Sequence, residues 1–231
     1  MQVNVSWDSQ VSGQFPNLAI GIGLINGVCI EENNQQLCHL KKIVYEEVDG
    51  RFEIDRLKED MTVRAYRDFY WKLDIDPTKT RPSGEALLRR VLHGEELPNI
   101  STAVDAYNLA SMKTIIPISG FDLDRIASPF QVRFAKENET FTGIGMKKPI
   151  QLKRNMLVLA DEKQVLCIYP YRDCDYTKIT LKTRNVALVG YGVPGTTSTQ
   201  VQEAVEMALT FISEVAGGKT ESTNVFRSGH E

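Results

Sequence analysis

Hydrophobic and polar positions change period several times along this chain, and each change marks an expected element. Val3 and Val5 alternate with polar residues, and residues 18–30 (LAIGIGLINGVCI) form a run of β-branched and small residues. Asn26-Gly27, the pair favoured by a type I′ turn, interrupts that run, so a β-hairpin is expected there. From about Asn34 the period becomes helical: Leu37, Leu40, Ile43, Val44 and Val48 recur every three or four positions, as do Ala86, Leu87, Arg90 and Val91 after Pro82-Ser83. Between these helices the steps Asp76-Pro77 and Arg81-Pro82 mark a loop, and residues 66–90 read as an unusually basic and aromatic connection.

Farther along, residues 101–112 (STAVDAYNLASM) predict a helix, and PISGFDLDRI at 117–126 brings turn residues. Phe130 to Ala135 alternates as a half-buried strand does. Leu157–Ala160 and Val165–Ile168 read as a hairpin around Asp161-Glu162, and NVALV at 185–189 reads as a buried strand. Residues 199–215 place Val201, Ala204, Val205, Ala208, Phe211, Ile212 and Val215 on one stripe of a final helix. Gly217-Gly218 is expected to end that helix, and 219–231 to be a disordered tail carrying His230. Strands and helices alternate irregularly and no linker divides them, so the expected architecture is one α+β domain spanning 1–218.

Composition narrows the class. Hydrophobic residues make up 42% and charged residues 25%, ordinary for a globular chain, and Lys+Arg 27 against Asp+Glu 30 gives a net charge of -3. No stretch approaches a membrane span and the N-terminus lacks a signal-peptide pattern, so the expected compartment is the cytoplasm. Cys29, Cys38, Cys167 and Cys174 show no C-x-x-C spacing; reduced, mostly buried thiols are expected, with no metal and no cofactor.

Charge is unevenly spread. Residues 147–184 hold nine basic side chains against four acidic ones. Lys147, Lys148, Lys153 and Arg154 form one basic group, and Lys72, Lys79, Arg81, Arg89 and Arg90 another, interleaved with Tyr66, Phe69, Tyr70 and Trp71. These runs fit either a solvated face or contact with an RNA end on which bases stack.

Four local patterns carry candidate chemistry. Gly190-Tyr191-Gly192-Val193-Pro194-Gly195 matches G-x-G-x-x-G, yet the second strand and ribose-binding acid of a dinucleotide unit are missing, so a glycine-rich strand-to-helix turn is expected. Such a turn offers backbone N–H groups and the Thr196 and Thr197 hydroxyls to an ester or anionic oxygen. Gly21-x-Gly23 points to close strand packing. Asp122-Leu123-Asp124-Arg125 reads as a cap with a local ion pair. Tyr169–Thr177 gathers aromatics, Arg172, Asp173, Asp175 and a hydroxyl within nine positions, which fits a site as well as a loop. Asn108, on a helix expected to be buried, either ties neighbouring loops together or faces a ligand pocket.

Taken in order, VDAYNLASMKTIIPISGFDLDRI at 104–126, the Arg133 strand, the 157–161 strand, NVALV and the DPTKTRPS stretch at 76–83 resemble the B3/B4 editing domain of bacterial phenylalanyl-tRNA synthetase β subunits, and most of all freestanding B3/4-domain proteins. The resemblance covers residues 76–195 and includes no synthetase catalytic core. It implies a mixed β-sandwich-like core with flanking helices, and an editing site that hydrolyses misacylated tRNA. Carried over by position, Asn108 matches the pocket asparagine, Pro117 its wall, and Asp175 the family's recognition glutamate. Ser119 stands where the family has its editing histidine, which removes the obvious general base.

On this resemblance Asn108, Ser119 and Asp175 are the candidate catalytic groups, water being oriented with help from the substrate's ribose hydroxyl. Tyr107, Pro117, Arg172, Asp173, Thr196 and Thr197 are candidates for substrate binding, and Lys79, Arg81, Lys147 and Lys148 for RNA. The implied partners are the tRNA 3′ end or aminoacyl-tRNA, with contact to a synthetase or another translation component. The implied activity is deacylation in trans; the alternative is a noncatalytic RNA- or amino-acid-binding module that keeps the pocket.

Overall fold

The computed structural model describes residues 3–229. Its elements run β1 (Val5–Trp7), α1 (Ser9–Gln14), β2 (Ala19–Asn26), α2 (Gln35–Arg51), α3 (Met61–Lys72), α4 (Ser83–Leu92), α5 (Thr102–Thr114), β3 (Ile118–Asp122), β4 (Phe130–Phe134), β5 (Thr140–Phe141), β6 (Ile150–Gln151), β7 (Leu157–Ala160), β8 (Val165–Ile168), β9 (Arg172–Asp173), β10 (Asn185–Gly192), α6 (Ser198–Ala216) and β11 (Lys219–Arg227).

Two sheets form the centre. One is antiparallel in the order β11-β2-β10-β3; the other runs β1-β4-β7-β8-β9 and is mixed, because β1 pairs parallel to β4. They face each other as a sandwich, bridged where the Tyr169 and Tyr191 rings meet edge-on at 4.9 Å and the Tyr169 hydroxyl donates to the Gly192 carbonyl at 3.0 Å. A short two-stranded ribbon, β5-β6, stands apart from both sheets.

The outer face of the first sheet is covered by α6, and glycine explains how closely. A Cβ on Gly23 would lie 2.6 Å from the Val205 side chain and one on Gly190 2.7 Å from it, inside any real carbon contact. The Gly21-x-Gly23 and Gly190-x-Gly192 patterns are therefore grooves for the apolar stripe of α6 rather than phosphate-binding turns. Thr197 caps α6 in a reciprocal box with Gln200, and Gly217 ends it at φ 66°. Beyond α6 lies α5, with α4 and α2 packed against it.

Buried charges hold this helical layer. Glu85, fully buried on α4, receives Arg67 Nε and Nη2 at 2.8 and 2.5 Å and Arg89 Nε at 2.7 Å. Burial would raise its pKa, but the two guanidinium groups outweigh that and lower it. Asp105 accepts from Lys41 at 2.7 Å and from the Ile100 N–H at 3.0 Å, anchoring the start of α5 to α2 and the preceding loop. The Asp122 turn is a cap: its carboxylate accepts from the Asp124 N–H and from Thr183 Oγ1 at 2.7 Å, with Arg125 at 3.6 Å.

Several expectations are corrected. No hairpin forms at Asn26-Gly27: Gly27 does turn the chain with φ 74°, but β2 pairs with β10 on one side and β11 on the other. Residues 66–72 are helix rather than loop, because Val63, Tyr66, Phe69 and Tyr70 at helical spacing bury one face of α3. The stretch 219–227 is a strand, and Ser228 is locked to Leu18 through backbone and side chain, so the folded unit runs past residue 218. Its residues are polar enough to look like a tail, but the backbone ladder to β2 holds it as an edge strand, with Val225 and Phe226 partly buried. His230 lies outside the described residues. Cys29 and Cys38 are exposed and only Cys167 and Cys174 are buried; all four are free thiols. Among the described residues no helix is long and apolar enough to cross a membrane.

Candidate functional site

Sheet register builds a polar cluster inside the sandwich. Along β10, side chains alternate between the face under α6, where Gly190 and Gly192 lie, and the inner face, where Val189 and Tyr191 lie. Ser119 stands opposite Val189 in the pair β10-β3, so it shares the inner face with Tyr191. From the facing sheet, Cys167 and Asp173 are register partners across β8-β9 and present one face together. The result is Ser119 and Tyr191 on one sheet meeting Cys167 and Asp173 on the other.

Ser119 Oγ donates to Asp173 Oδ1 at 2.6 Å. Tyr191 Oη lies 3.1 Å from Cys167 Sγ and also interacts with the Ser119 hydroxyl. Ser119 is 6% exposed, Cys167 and Tyr191 are fully buried and Asp173 is partly buried. This low-dielectric setting raises the Asp173 carboxyl to about 6, with the Ser119 hydrogen bond and the Arg172 charge pulling it back. Burial likewise pushes up the Tyr191 phenol and the Cys167 thiol, and both feel the Asp173 charge. The arrangement joins a serine hydroxyl to a carboxyl that burial raises to about 6, the kind of perturbed group that clusters at functional sites.

The other candidate residues fall around this centre unequally. Tyr107 is buried with its ring against Gly120, next to Ser119, and its phenol is raised by burial and by the nearby Asp173 and Asp105 charges. Pro117 is buried, and its carbonyl accepts from the Tyr191 N–H at 3.0 Å. Asn108 is half-buried on α5, one position beyond Tyr107. Asp175 is bound elsewhere, in an ion pair with Lys178 at 2.7 Å; the carboxylate at Ser119 belongs to Asp173. Thr196 is occupied in a turn, exchanging hydrogen bonds with the Val193 N–H and carbonyl, and Thr197 is occupied as the α6 cap. Neither hydroxyl lies free for a ligand.

Arg172 is exposed beside the cluster. Its stem lies against Gly143, leaving no room for a Cβ there, and its guanidinium donates to the Ile144 carbonyl at 3.3 Å. The Gly143–Met146 turn pairs with this strand through Cys174 and through the Ile144 N–H to the Asp173 carbonyl at 2.9 Å. Lys147 and Lys148 follow that turn and are exposed. The basic pair therefore lies on the loop that packs against Arg172-Asp173. Lys79 is mostly exposed and lines a cleft of about 370 Å³ with Lys153, Tyr171, Met156 and the 73–76 loop. Arg81 is exposed. Tyr66, Phe69 and Tyr70 are core residues, closed to stacking with bases, whereas Trp71 is 55% exposed.

Sequence reasoning missed Cys167 and Tyr191. Tyr191 sits inside the glycine pattern and Cys167 inside an apolar strand, and only the facing of two sheets joins them. A usable signal did exist for Ser119, a polar residue inside the fully buried segment Ile118–Asp122; Asp173, on the short polar strand Arg172–Asp173, had none. Among the described residues no group of three His, Cys, Asp or Glu side chains could hold a metal ion.

Residues 65–217 match the family model described as the B3/4 domain. Curated relatives include the phenylalanine–tRNA ligase β subunit of Haemophilus ducreyi, 28% identical over 144 residues that cover 52% of this chain and 18% of the relative. That of Fusobacterium nucleatum is 24% identical over 194 residues, covering 83% of this chain and 23% of the relative. The chain thus spans about a fifth of the length of these relatives. Among solved structures, an N-terminal fragment of the phenylalanyl-tRNA synthetase β-subunit from Pyrococcus horikoshii superposes with a TM-score of 0.52 over 95% of this chain and 50% of that one. At 16% identity, that likeness speaks to the fold alone. With the family model matched across two thirds of its length and the mixed two-sheet core in place, this chain belongs to the B3/4 domain family.

Proposed function

We propose that the chain hydrolyses an aminoacyl ester at the 3′ end of tRNA, acting in trans on misacylated tRNA in the cytoplasm. The observation that carries this reading is the 2.6 Å hydrogen bond from Ser119 to Asp173, a carboxyl that titrates near 6. Ser119 holds the position of the family's editing histidine, and Asp173 supplies a base that the serine alone lacks. The buried Tyr191 and Cys167 beside this pair favour a site kept apart from bulk water. Lys147, Lys148 and Arg172 beside Asp173 suit the phosphates of an RNA end, and exposed Arg81 with Lys79 adds a second basic contact. Tyr107, Pro117 and Asn108 are the side chains to hold the aminoacyl group, with Asp175, in the place of the family's glutamate, available to a ligand that displaces Lys178.

Incubating the protein with a panel of misacylated tRNAs tests this. Release of free amino acid above the buffer rate for at least one member is expected; none across the panel sinks the reading. A binding-only module is the second reading, and the 6% exposure of Ser119 favours it, since a closed serine–aspartate bond also serves as a structural tie. That reading requires saturable tRNA binding without turnover.

A further inference from the structure

From the contact between Ser119 and Asp173 we infer that Ser119 is a covalent nucleophile, carrying the aminoacyl group as an ester on its Oγ between two half-reactions. The inference rests on the ester-hydrolase reading and adds to it the identity of the attacking atom. Here the base oxygen, Asp173 Oδ1, is already closed onto Ser119 Oγ at 2.6 Å, a separation that admits nothing between them. The proton that this oxygen is placed to take is the serine's own. Tyr191, whose Oη lies 3.1 Å from Cys167 Sγ, also interacts with the same hydroxyl, a second polar group beside it. A nucleophile touching its base is the arrangement that activates a hydroxyl. Among the described residues no charged side chain shares the inner face with this pair: the Arg172 charge reaches Asp173 from the opposite face of β9, and the neutral Tyr107, Tyr191 and Cys167 complete the surroundings.

In the first half-reaction the Oγ–C bond forms at the ester carbonyl while the Oγ proton passes to the Asp173 carboxylate. Collapse of the tetrahedral carbon breaks the ester C–O bond, and the ribose hydroxyl leaves with that proton. In the second, water adds to the serine ester and gives a proton to Asp173. The C–Oγ bond then breaks, the proton returns to Ser119, and the free amino acid departs. No cofactor or redox partner enters either balance.

The test uses the full chain in two arms. In the first, enzyme in excess is mixed with each radiolabelled aminoacyl-tRNA that it turns over, quenched in acid within one turnover, and digested for mass spectrometry. The expected result is label on the peptide that contains Ser119. Ser119→Ala should lose on the order of 10²–10⁴-fold in turnover and Asp173→Asn roughly 10²-fold. Ser119→Cys, which keeps the volume, should trap a longer-lived thioester, and its thermal midpoint reports folding. In the second arm a fluorophosphonate probe is added without RNA; modification at Ser119, slowed in Asp173→Asn, is expected. Turnover by the folded Ser119→Ala protein within about threefold of wild type overturns the nucleophile and leaves the hydrolase reading standing. So does full turnover with neither an acyl nor a phosphonyl adduct. Phosphonylation of Ser119 with no deacylation of any tRNA supports the nucleophile and sinks the tRNA reading instead, and failure in both arms sinks both.

Discussion

Asp173 stands directly across the β8-β9 pair from Cys167, so the carboxylate that holds Ser119 and the thiol that meets Tyr191 belong to one row of one sheet. Placing Asp173 in that row is what buries it, and burial is what lifts its pKa to about 6. Its neighbour Arg172 points the other way, onto the Gly143 turn, as strand alternation requires.

The raised Asp173 pKa has a definite sign in stability. The folded state prefers the protonated acid, so its favourable contribution is complete below the unfolded value near 3.8 and is lost as pH rises through about 6. Asp173→Asn removes that titration. Relative to wild type the variant should gain about 1–2 kcal/mol between pH 4 and 7, after discounting for the partial exposure of the group. Urea unfolding at the two pH values checks this. Deacylation should change in the opposite sense, rising in wild type as pH passes about 6 and losing that step in the variant.

Glu85 behaves in the reverse manner. Its pKa is lowered in the fold, so its stabilisation is present above the unfolded value of about 4.5 and fades as pH falls through the lower folded value. Replacing it by glutamine leaves Arg67 and Arg89 facing a neutral amide in a buried place. Glu85→Gln should cost roughly 3–5 kcal/mol at pH 7, with a smaller cost at strongly acidic pH, read by denaturant titration.

Gly190→Ala places a methyl group 2.7 Å from Val205, a branched side chain held between sheet and helix. The variant should lose about 1–3 kcal/mol by overpacking. Pairing it with Val205→Ala, which opens the space, should restore part of that loss; simple additivity of the two costs would show that the contact is not the cause.

Thiol reactivity should divide two and two. Cys29 and Cys38 are exposed and should react with an aromatic disulfide reagent in the native protein, while Cys167 and Cys174 should react only on unfolding. Cys167 should stay unmodified in the native protein even at alkaline pH, since burial pushes its thiol up. Alkylation mapped by mass spectrometry decides the order.

Lys147 and Lys148 carry no ion pair among the described residues, and both stand on the loop beside Arg172. If they meet phosphates, Lys147→Ala with Lys148→Ala should weaken tRNA binding and lower the slope of log affinity against log salt by about 1–2. The fold should be unaffected, as surface lysines contribute within about 0.5 kcal/mol. An unchanged slope removes them from the RNA contact.

Between Gln35 and Ala216 several elements were legible in the sequence, because periods of two and near four report which face a segment buries, whereas α3 was read as a loop and β3 as turn residues. Residues 101–112, 130–135, 157–168, 185–189 and 199–215 all became the elements their patterns imply. The glycine pairs were legible too, as places where something comes close. The sequence did not show the partner in any pairing. Asn26-Gly27 has the composition of a hairpin, yet β2 takes β10 and β11 as neighbours from more than a hundred residues away. The aromatics of α3 have the composition of a base-stacking loop, yet Phe15 and Tyr169 hold Phe69, and the Tyr191 carbonyl holds Tyr66, in the core, leaving Trp71 outside. The same limit applied to the site. Sequence by itself determined the family pattern, the candidate Ser119 and the acidic cluster around residue 173, all of them local in the chain. Which of Asp173 and Asp175 meets Ser119, and that Tyr191 and Cys167 join them, was decided by the register of β9 on β8 and by the closure of one sheet over the other. A shift of one residue in that register would turn Asp173 to the opposite face, and no local pattern carries that information.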